Sequence, residues 1–249
     1  MPNYSRSVDS YSPFYTPLGV KWLVIVNSAI FVIYFFCLQF GVAETLFREL
    51  LPLRPVFVVE MFCLWQPVTY LFLHADFGHI IFNMLSLWFF GKDLEITWGT
   101  RRFLQFYFLC GIGAAFCVIL ASYLFGSKGS ATVGASGAIY GLLMAFGILF
   151  PDRTVYYFFF PIKAKYLVLI SGAIAFMMSF AGSSSGVSHI AHLGGMLFGY
   201  AYLKTKYRNS IDILGVIRQA YKDWKLQRAR KKFQVYMSKN RSDHDRWTH

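Results

Sequence analysis

The chain has 249 residues, a formal net charge of +12 and a mean hydropathy of +0.46; apolar types make up 56% of it, with 27 Phe and 16 Tyr. That composition excludes an ordinary soluble domain, whose core needs far fewer aromatic and aliphatic side chains. Apolar runs separated by basic loops point instead to an all-α, polytopic membrane protein.

Six runs approach or exceed the length that crosses a bilayer. The first, Val20 to Gly41, carries only Lys21 as a charge, and it is too long and too weakly flanked to be a cleaved signal peptide. The second spans about Leu64 to Phe90 and is interrupted by His74, Asp76 and His79. Phe103 to Phe125, Gly134 to Phe150 and Ala164 to Ala181 follow. The last, Ile190 to Leu203, is short and is expected to begin near Val187 and continue into Thr205. Between the second and third runs the charged stretch Lys92 to Arg102 is expected to form a turn. This divides the chain into an N-terminal segment 1–19, a six-helix transmembrane domain 20–205 and a basic tail 206–249.

Basic residues mark the cytoplasmic side. In a six-span arrangement one side receives Arg6, Lys21, Lys92, Arg101, Arg102, Arg153, Lys163, Lys165 and the C-terminal end, which from Lys204 onward holds 13 of the 24 Lys and Arg. The other side receives only Arg48, Arg54 and Lys128. Both termini are therefore expected in the cytoplasm. The tail stretch Lys225 to Lys232 is read as an anchor touching anionic membrane lipid, not as a nucleic-acid site. Apolar residues from Ile211 to Leu226 recur among its charges, as in an amphipathic surface helix. Cys37, Cys63, Cys110 and Cys117 have no metal or redox spacing and suit buried small hydrophobes.

The loop Gly41 to Cys63 is rich in Phe, Leu and Val, which favours a partly interfacial position. Two small-residue linkers, Gly129 to Ala135 and Gly182 to Ser188, each precede a span and allow the backbone to dip before a helix begins.

Three clusters carry reactive groups. Ser136 lies in Gly134-Ala135-Ser136-Gly137 at a helix start, where free backbone N–H groups favour developing negative charge. Taken alone, it can equally be an N-cap or a small packing residue. His192 lies in His189-Ile190-Ala191-His192-Leu193-Gly194-Gly195. Gly195 with Gly199 repeats the four-residue spacing of Gly137 with Gly141, so two glycine faces can bring Ser136 and His192 together, or serve packing only. In the second run, His74-Ala75-Asp76-Phe77-Gly78-His79 precedes Asn83, and His79 and Asn83 share a helix face. They can donate to an oxyanion or simply knot the helix top. Metal chemistry is disfavoured because Asp76 is the one nearby carboxylate and the histidines lack a zinc-protease spacing, so no metal or cofactor is expected.

Together these motifs, in this order on spans two, four and six, resemble the rhomboid family of intramembrane serine proteases over about residues 60–200. The resemblance implies a six-helix bundle with Ser136 as nucleophile and His192 as general base and acid. It places His79, Asn83 and the Ser136 backbone N–H in an oxyanion hole, His74 in the supporting network and Tyr140 stacked on His192. It also implies access gated by the fifth helix with the loop Gly182 to Ser188. One departure is visible, since members often have Trp-Arg where this chain has Trp65-Gln66. The implied partners are single-span or polytopic membrane proteins, cut where the helix is weak. A noncatalytic chaperone or adaptor of the same fold is the alternative, and a transporter is disfavoured by the lack of an inverted repeat. The expected location is a plasma membrane, taken as a bacterial inner membrane.

Overall fold

The computed structural model describes residues 15–126, 129–157, 160–180, 189–206 and 221–231. Expectations for residues 1–14, the loop from Gly182 to Ser188, Lys128 and most of the tail lie outside these. The residues up to Lys206 form one compact unit and those from Tyr207 onward another. In the second, residues 221–231 are helical, with Arg228 over the Trp224 ring at 4.9 Å.

Among the described residues of the first unit, six helices are 14 to 26 residues long. We label the helices in chain order: α1 is Leu18–Gln39, α2 and α3 are the short turns Pro55–Glu60 and Gln66–Thr69, and α4 is Phe77–Trp98. α5 covers Thr100–Phe125, α6 Ser136–Leu149, α7 Ala164–Phe180 and α8 His189–Lys206. α1 and α5 are long and apolar enough to cross a membrane, while α6 and α7 are shorter apolar helices. Large apolar side chains stand exposed on the outside, among them Phe35 and Phe36 on α1 and Met177 and Phe180 on α7. Water does not tolerate such a surface, whereas lipid does. The fold is all-α and membrane-associated apart from one hairpin.

That hairpin was not expected. Thr154–Tyr157 (β1) pairs antiparallel with Phe160–Lys163 (β2) between α6 and α7, in a stretch of β-branched and aromatic residues. Asp152 at its base bonds Lys165 at 2.9 Å and Lys163 at 3.3 Å. The Lys165 hydrogen bond, with Lys163 adding to it, holds the Asp152 carboxyl below the usual carboxylate range.

The second apolar run is not one helix from Leu64. Its first part is broken into α3 and the tight turn Tyr70–Phe72, with Leu73 extended. α4 starts only at Phe77, after Asp76 caps it by accepting from the His79 backbone N–H at 2.8 Å. The stretch Lys92 to Arg102 is not a turn either. α4 continues through Trp98, and the chain reverses at Gly99 alone, whose φ of 79° suits glycine. The charges remain helical because they find partners: Asp93 pairs with Arg153 at 2.9 Å, and Lys92 sits over the Trp88 ring.

Glu95 holds the most connected of these charges. Buried at 2% exposure, its carboxylate accepts from the Gly19 and Val20 backbone N–H groups at 2.7 and 2.8 Å and from the Thr100 hydroxyl at 2.6 Å. Two of the orphan donors at the start of α1 are thereby satisfied, with the helix dipole favouring the negative charge.

The long loop after α1 is pinned by Gln66. Fully buried, it accepts from the Arg54 N–H at 2.9 Å and donates to the Glu49 and Leu50 carbonyls at 3.2 Å each. Trp65 adds a bond to Leu50 and Thr69 one to Leu51. The glutamine thus performs the backbone tethering that its position requires. The loop still exposes Val42, Met61, Phe62 and Leu64.

α5, α6 and α8 pack most intimately. A Cβ added at Gly195 would collide with the Gly137 carbonyl, and one at Gly199 would lie 3.1 Å from the Gly141 carbonyl. Gly137 itself faces Ala114 of α5, and Gly141 faces Cys110. Only glycine allows this separation of backbones.

Two stability measurements follow from these contacts. Glu95→Gln keeps the shape but loses the charge-assisted bonds to α1, and should lower stability by about 2–3 kcal/mol, read as a lower unfolding temperature in detergent. Gly195→Val should cost more than about 3 kcal/mol or prevent folding, because the obstacle is backbone and cannot yield. A Gly195→Val chain as heat-stable as the parent would contradict the packing.

Candidate active site

The start of α6 is set by the loop before it. Leu53 and Thr132 exchange backbone hydrogen bonds at 3.0 and 2.9 Å, and the Gly134 N–H donates to the Tyr70 carbonyl at 2.9 Å. Gly134 then adopts a φ of 119°, which turns the chain into the helix. A Cβ there would also lie 2.7 Å from His79 Nε2 and would displace that ring.

Ser136 is the first residue of α6 and is half-buried. It does not cap the helix. Ala135 occupies the cap position and no side-chain cap bond is made, which leaves the hydroxyl free for another partner. That partner is His192. Its Nε2 lies 2.8 Å from Ser136 Oγ, across 56 residues of sequence. His192 sits one turn into α8 and is 7% exposed.

Tyr140, one turn after Ser136, stacks on His192 with ring centroids 4.1 Å apart and planes 2° from parallel. This contact fixes the imidazole plane, and the ring face can stabilise a positive charge on it. His192 Nδ1 is buried and has no hydrogen-bond partner among the described residues. Among the described residues no carboxylate orients it from behind.

The α4 cluster approaches from the other side. His79 is half-buried at the head of α4; its Nδ1 accepts a long contact from the Ala75 N–H at 3.4 Å, which assigns the ring proton to Nε2. That Nε2 points at Gly134, next to Ser136. Asn83, 6% exposed, donates one amide N–H to the His79 carbonyl at 2.8 Å and keeps a second. His74 is 1% exposed and packs edge-on against His79 at 5.2 Å. Neither His74 ring nitrogen has a well-formed hydrogen bond among the described residues, although the Phe72 backbone lies beside the ring.

The structure therefore gathers Ser136, His192, Tyr140, Gly134 and His79 at one point. Asn83 and His74 stand directly behind His79, and Gly137 with Gly195 and Gly199 set the helix spacing beneath. Among the described residues no group of three His, Cys, Asp or Glu side chains is placed to hold a metal ion.

Sequence reasoning missed Tyr70. Its carbonyl fixes Gly134, while its hydroxyl donates to the Gly111 carbonyl at 2.7 Å, tying the Ser136 loop to α5. One buried tyrosine among so many aromatic residues gives no signal in the sequence.

Comparison with known proteins agrees with this architecture. Over 140 residues, or 53% of the chain, it is 33% identical to Rhomboid protein 1, mitochondrial, of Saccharomyces cerevisiae, covering 38% of that protein. It is 32% identical over 136 residues to Rhomboid protease GluP of Bacillus subtilis, covering 55% of the chain and 25% of the relative. A longer match, 27% identical over 208 residues, joins it to Rhomboid-like protein 11, chloroplastic, of Arabidopsis thaliana, with 78% of the chain and 67% of the relative covered. The chain thus spans well under half the length of several curated relatives it matches. Residues 62–209 match the family model of the Rhomboid domain. With more than half the chain inside that match, and the loop-to-helix serine and glycine-packed histidine helix within it, the protein belongs to the rhomboid family.

Proposed function

We propose that this chain is an intramembrane serine endopeptidase working through a Ser136–His192 dyad. The observation that carries the proposal is the 2.8 Å contact between His192 Nε2 and Ser136 Oγ at the start of α6, with Tyr140 stacked on the imidazole. A hydroxyl within hydrogen-bond reach of a base, with that base held by a third group, is the arrangement of an activated nucleophile.

The chemistry follows from the atoms present. Ser136 Oγ attacks the scissile carbonyl carbon while its proton passes to His192 Nε2. Negative charge then collects on the carbonyl oxygen. The Ser136 backbone N–H, at the positive end of α6, is one donor to it, and His79 Nε2–H and the free Asn83 amide N–H are the proposed others. One such donor is worth about 3 kcal/mol in known hydrolases. Collapse breaks the C–N bond as His192 returns the proton to the leaving amine. Water then attacks the acyl-serine by the same route in reverse, releasing the acid and restoring Ser136.

His192 works without an acidic partner in this scheme. Tyr140 fixes its plane, and the π face offsets part of the imidazolium charge. Buried Nδ1 gains no such help.

In this proposal residues 20–205 form the six-span protease domain, with 1–19 and 206–249 flanking it on the cytoplasmic side. α4, α6 and α8 carry the reactive groups at their non-cytoplasmic ends. The substrates are single-span or polytopic membrane proteins whose helices unwind locally, because an intact helix hides its carbonyl carbons from Ser136. Relatives named as mitochondrial and chloroplastic stand beside bacterial ones, so family membership alone points to a membrane and not to one compartment.

Purified protein in detergent, given a single-span substrate, should cleave it. Ser136→Ala and His192→Ala should each reduce the rate at least about a thousandfold, and the double variant should be no worse, because the two side chains act as one unit. Cleavage that survives Ser136→Ala would sink the dyad, and partner binding without cleavage by the parent would favour an adaptor. Tyr140→Ala should lower kcat by about tenfold to a hundredfold with little change in KM, since it orients the base and does not bind substrate.

A further inference from the structure

A second histidine lies against the base. His189 opens α8, about one turn before His192, and is half-buried. Its ring meets the His192 ring edge-on, with centroids 5.7 Å apart and planes at 79°. Tyr140 covers a face of the same imidazole. His192 thus meets both an aromatic ring and a titratable one, while its buried Nδ1 has no partner among the described residues.

Resting on the dyad proposed above, we propose that His189 is a positioning residue that makes the dyad sensitive to protons. Neutral His189 braces the His192 ring. Protonated His189 opposes the second positive charge that His192 must take up when Ser136 attacks.

The charges around the pair decide the sign. On the α4 side stand His74, His79 and Asp76, and the Asp76 carboxylate is engaged with the His79 backbone N–H. The His79 ring pairs with His74, whereas the His189 ring pairs with His192. A charge on His189 therefore falls on the base side of Ser136 and not on the oxyanion side. α6 contributes Tyr140. On α5 the ionisable groups toward this end are Cys117 and Tyr123, and Tyr123 donates to Glu60 at 3.0 Å. α7 carries its one cation, Lys165, at the end where Asp152 binds it. None of these places an anion against His189 to cancel its charge among the described residues.

The size of the effect follows from distance. Two unit charges at the ring separation, at an effective dielectric near 20, shift an equilibrium by about a hundredfold. Partial exposure of His189 screens this, leaving about tenfold. Imidazole is the side chain whose charge changes over ordinary pH, so a histidine at this position is the kind of group that can impose a proton dependence.

The test is the rate at which the purified full chain in detergent is labelled by a fluorophosphonate, measured from pH 5.5 to 8.5. In that reaction the Oγ–P bond forms, the P–F bond breaks, fluoride leaves, and His192 accepts the serine proton. His189→Phe keeps a ring edge without a titrating group, and His189→Gln removes both. Between pH 8 and pH 5.5 the parent should lose about tenfold more rate than His189→Phe, while the two label at similar rates at pH 8. His189→Gln should show the same flattened acid limb, at a lower rate throughout because the brace is gone. Profiles of the same shape for parent and variants, or an equal loss at every pH in both, overturn the role given to His189. No labelling of the parent at any pH overturns the dyad itself, and with it this role. An unfolding temperature for each variant separates these outcomes from misfolding, and the Phe variant stands if the Gln variant does not fold.

Discussion

The close approach of α6 to α8 is the constraint on which the rest depends. Gly195 has no room for even a methyl group beside the Gly137 carbonyl, and Gly199 meets Gly141 one turn further along. In lipid, helices gain little by burying apolar faces, since the solvent is equally apolar; what binds them is close van der Waals contact between small residues. That same closeness makes the 2.8 Å contact of Ser136 with His192 possible. Helices spaced by leucines would hold a serine and a histidine too far apart to share a proton.

Around this contact the polar groups are handled locally, one partner at a time. Glu95 closes the start of α1, Gln66 ties the loop that follows it, and Asp76 caps α4. An unsatisfied polar group in a bilayer is expensive, which explains why these bonds are short. His74 and His192 Nδ1 stand out against that economy, as do the Asn27 Oδ1 and Tyr107 hydroxyl oxygens. Of these, His192 contacts the reactive serine, and His74 packs against His79 behind it. Groups with spare hydrogen-bonding capacity next to a nucleophile suit chemistry in which protons and water must move.

Several features were legible in the chain alone. Apolar run length located α1, α5, α6 and α7 to within a few residues, because a helix in lipid must be continuous and apolar. The four-residue glycine spacings marked the faces of α6 and α8 that meet. Where charges entered, the sequence misled. Lys92 to Arg102 looked like a turn, yet α4 runs through most of it because Asp93 and Glu95 bond partners brought from Arg153 and from α1. The broken path from Gln66 to Leu73 was hidden in an apolar run, since its shape comes from hydrogen bonds to a loop some 16 residues earlier. The hairpin between α6 and α7 was overlooked for a related reason, as its aromatic residues read equally well as part of a membrane segment.

By itself the sequence determined that this is a membrane protein of the rhomboid kind, and it singled out a serine, a histidine and a polar pair on three different spans. Those conclusions rest on local properties, namely run length, residue type and helical spacing. Only the tertiary structure decided that Ser136 is not a cap, that Tyr70 ties the Gly134 turn to α5 and that His189 meets the His192 ring from the turn before. Such contacts depend on how far two backbones approach and at what rotation, quantities set by many side chains packing at once and carried by no single stretch of the chain.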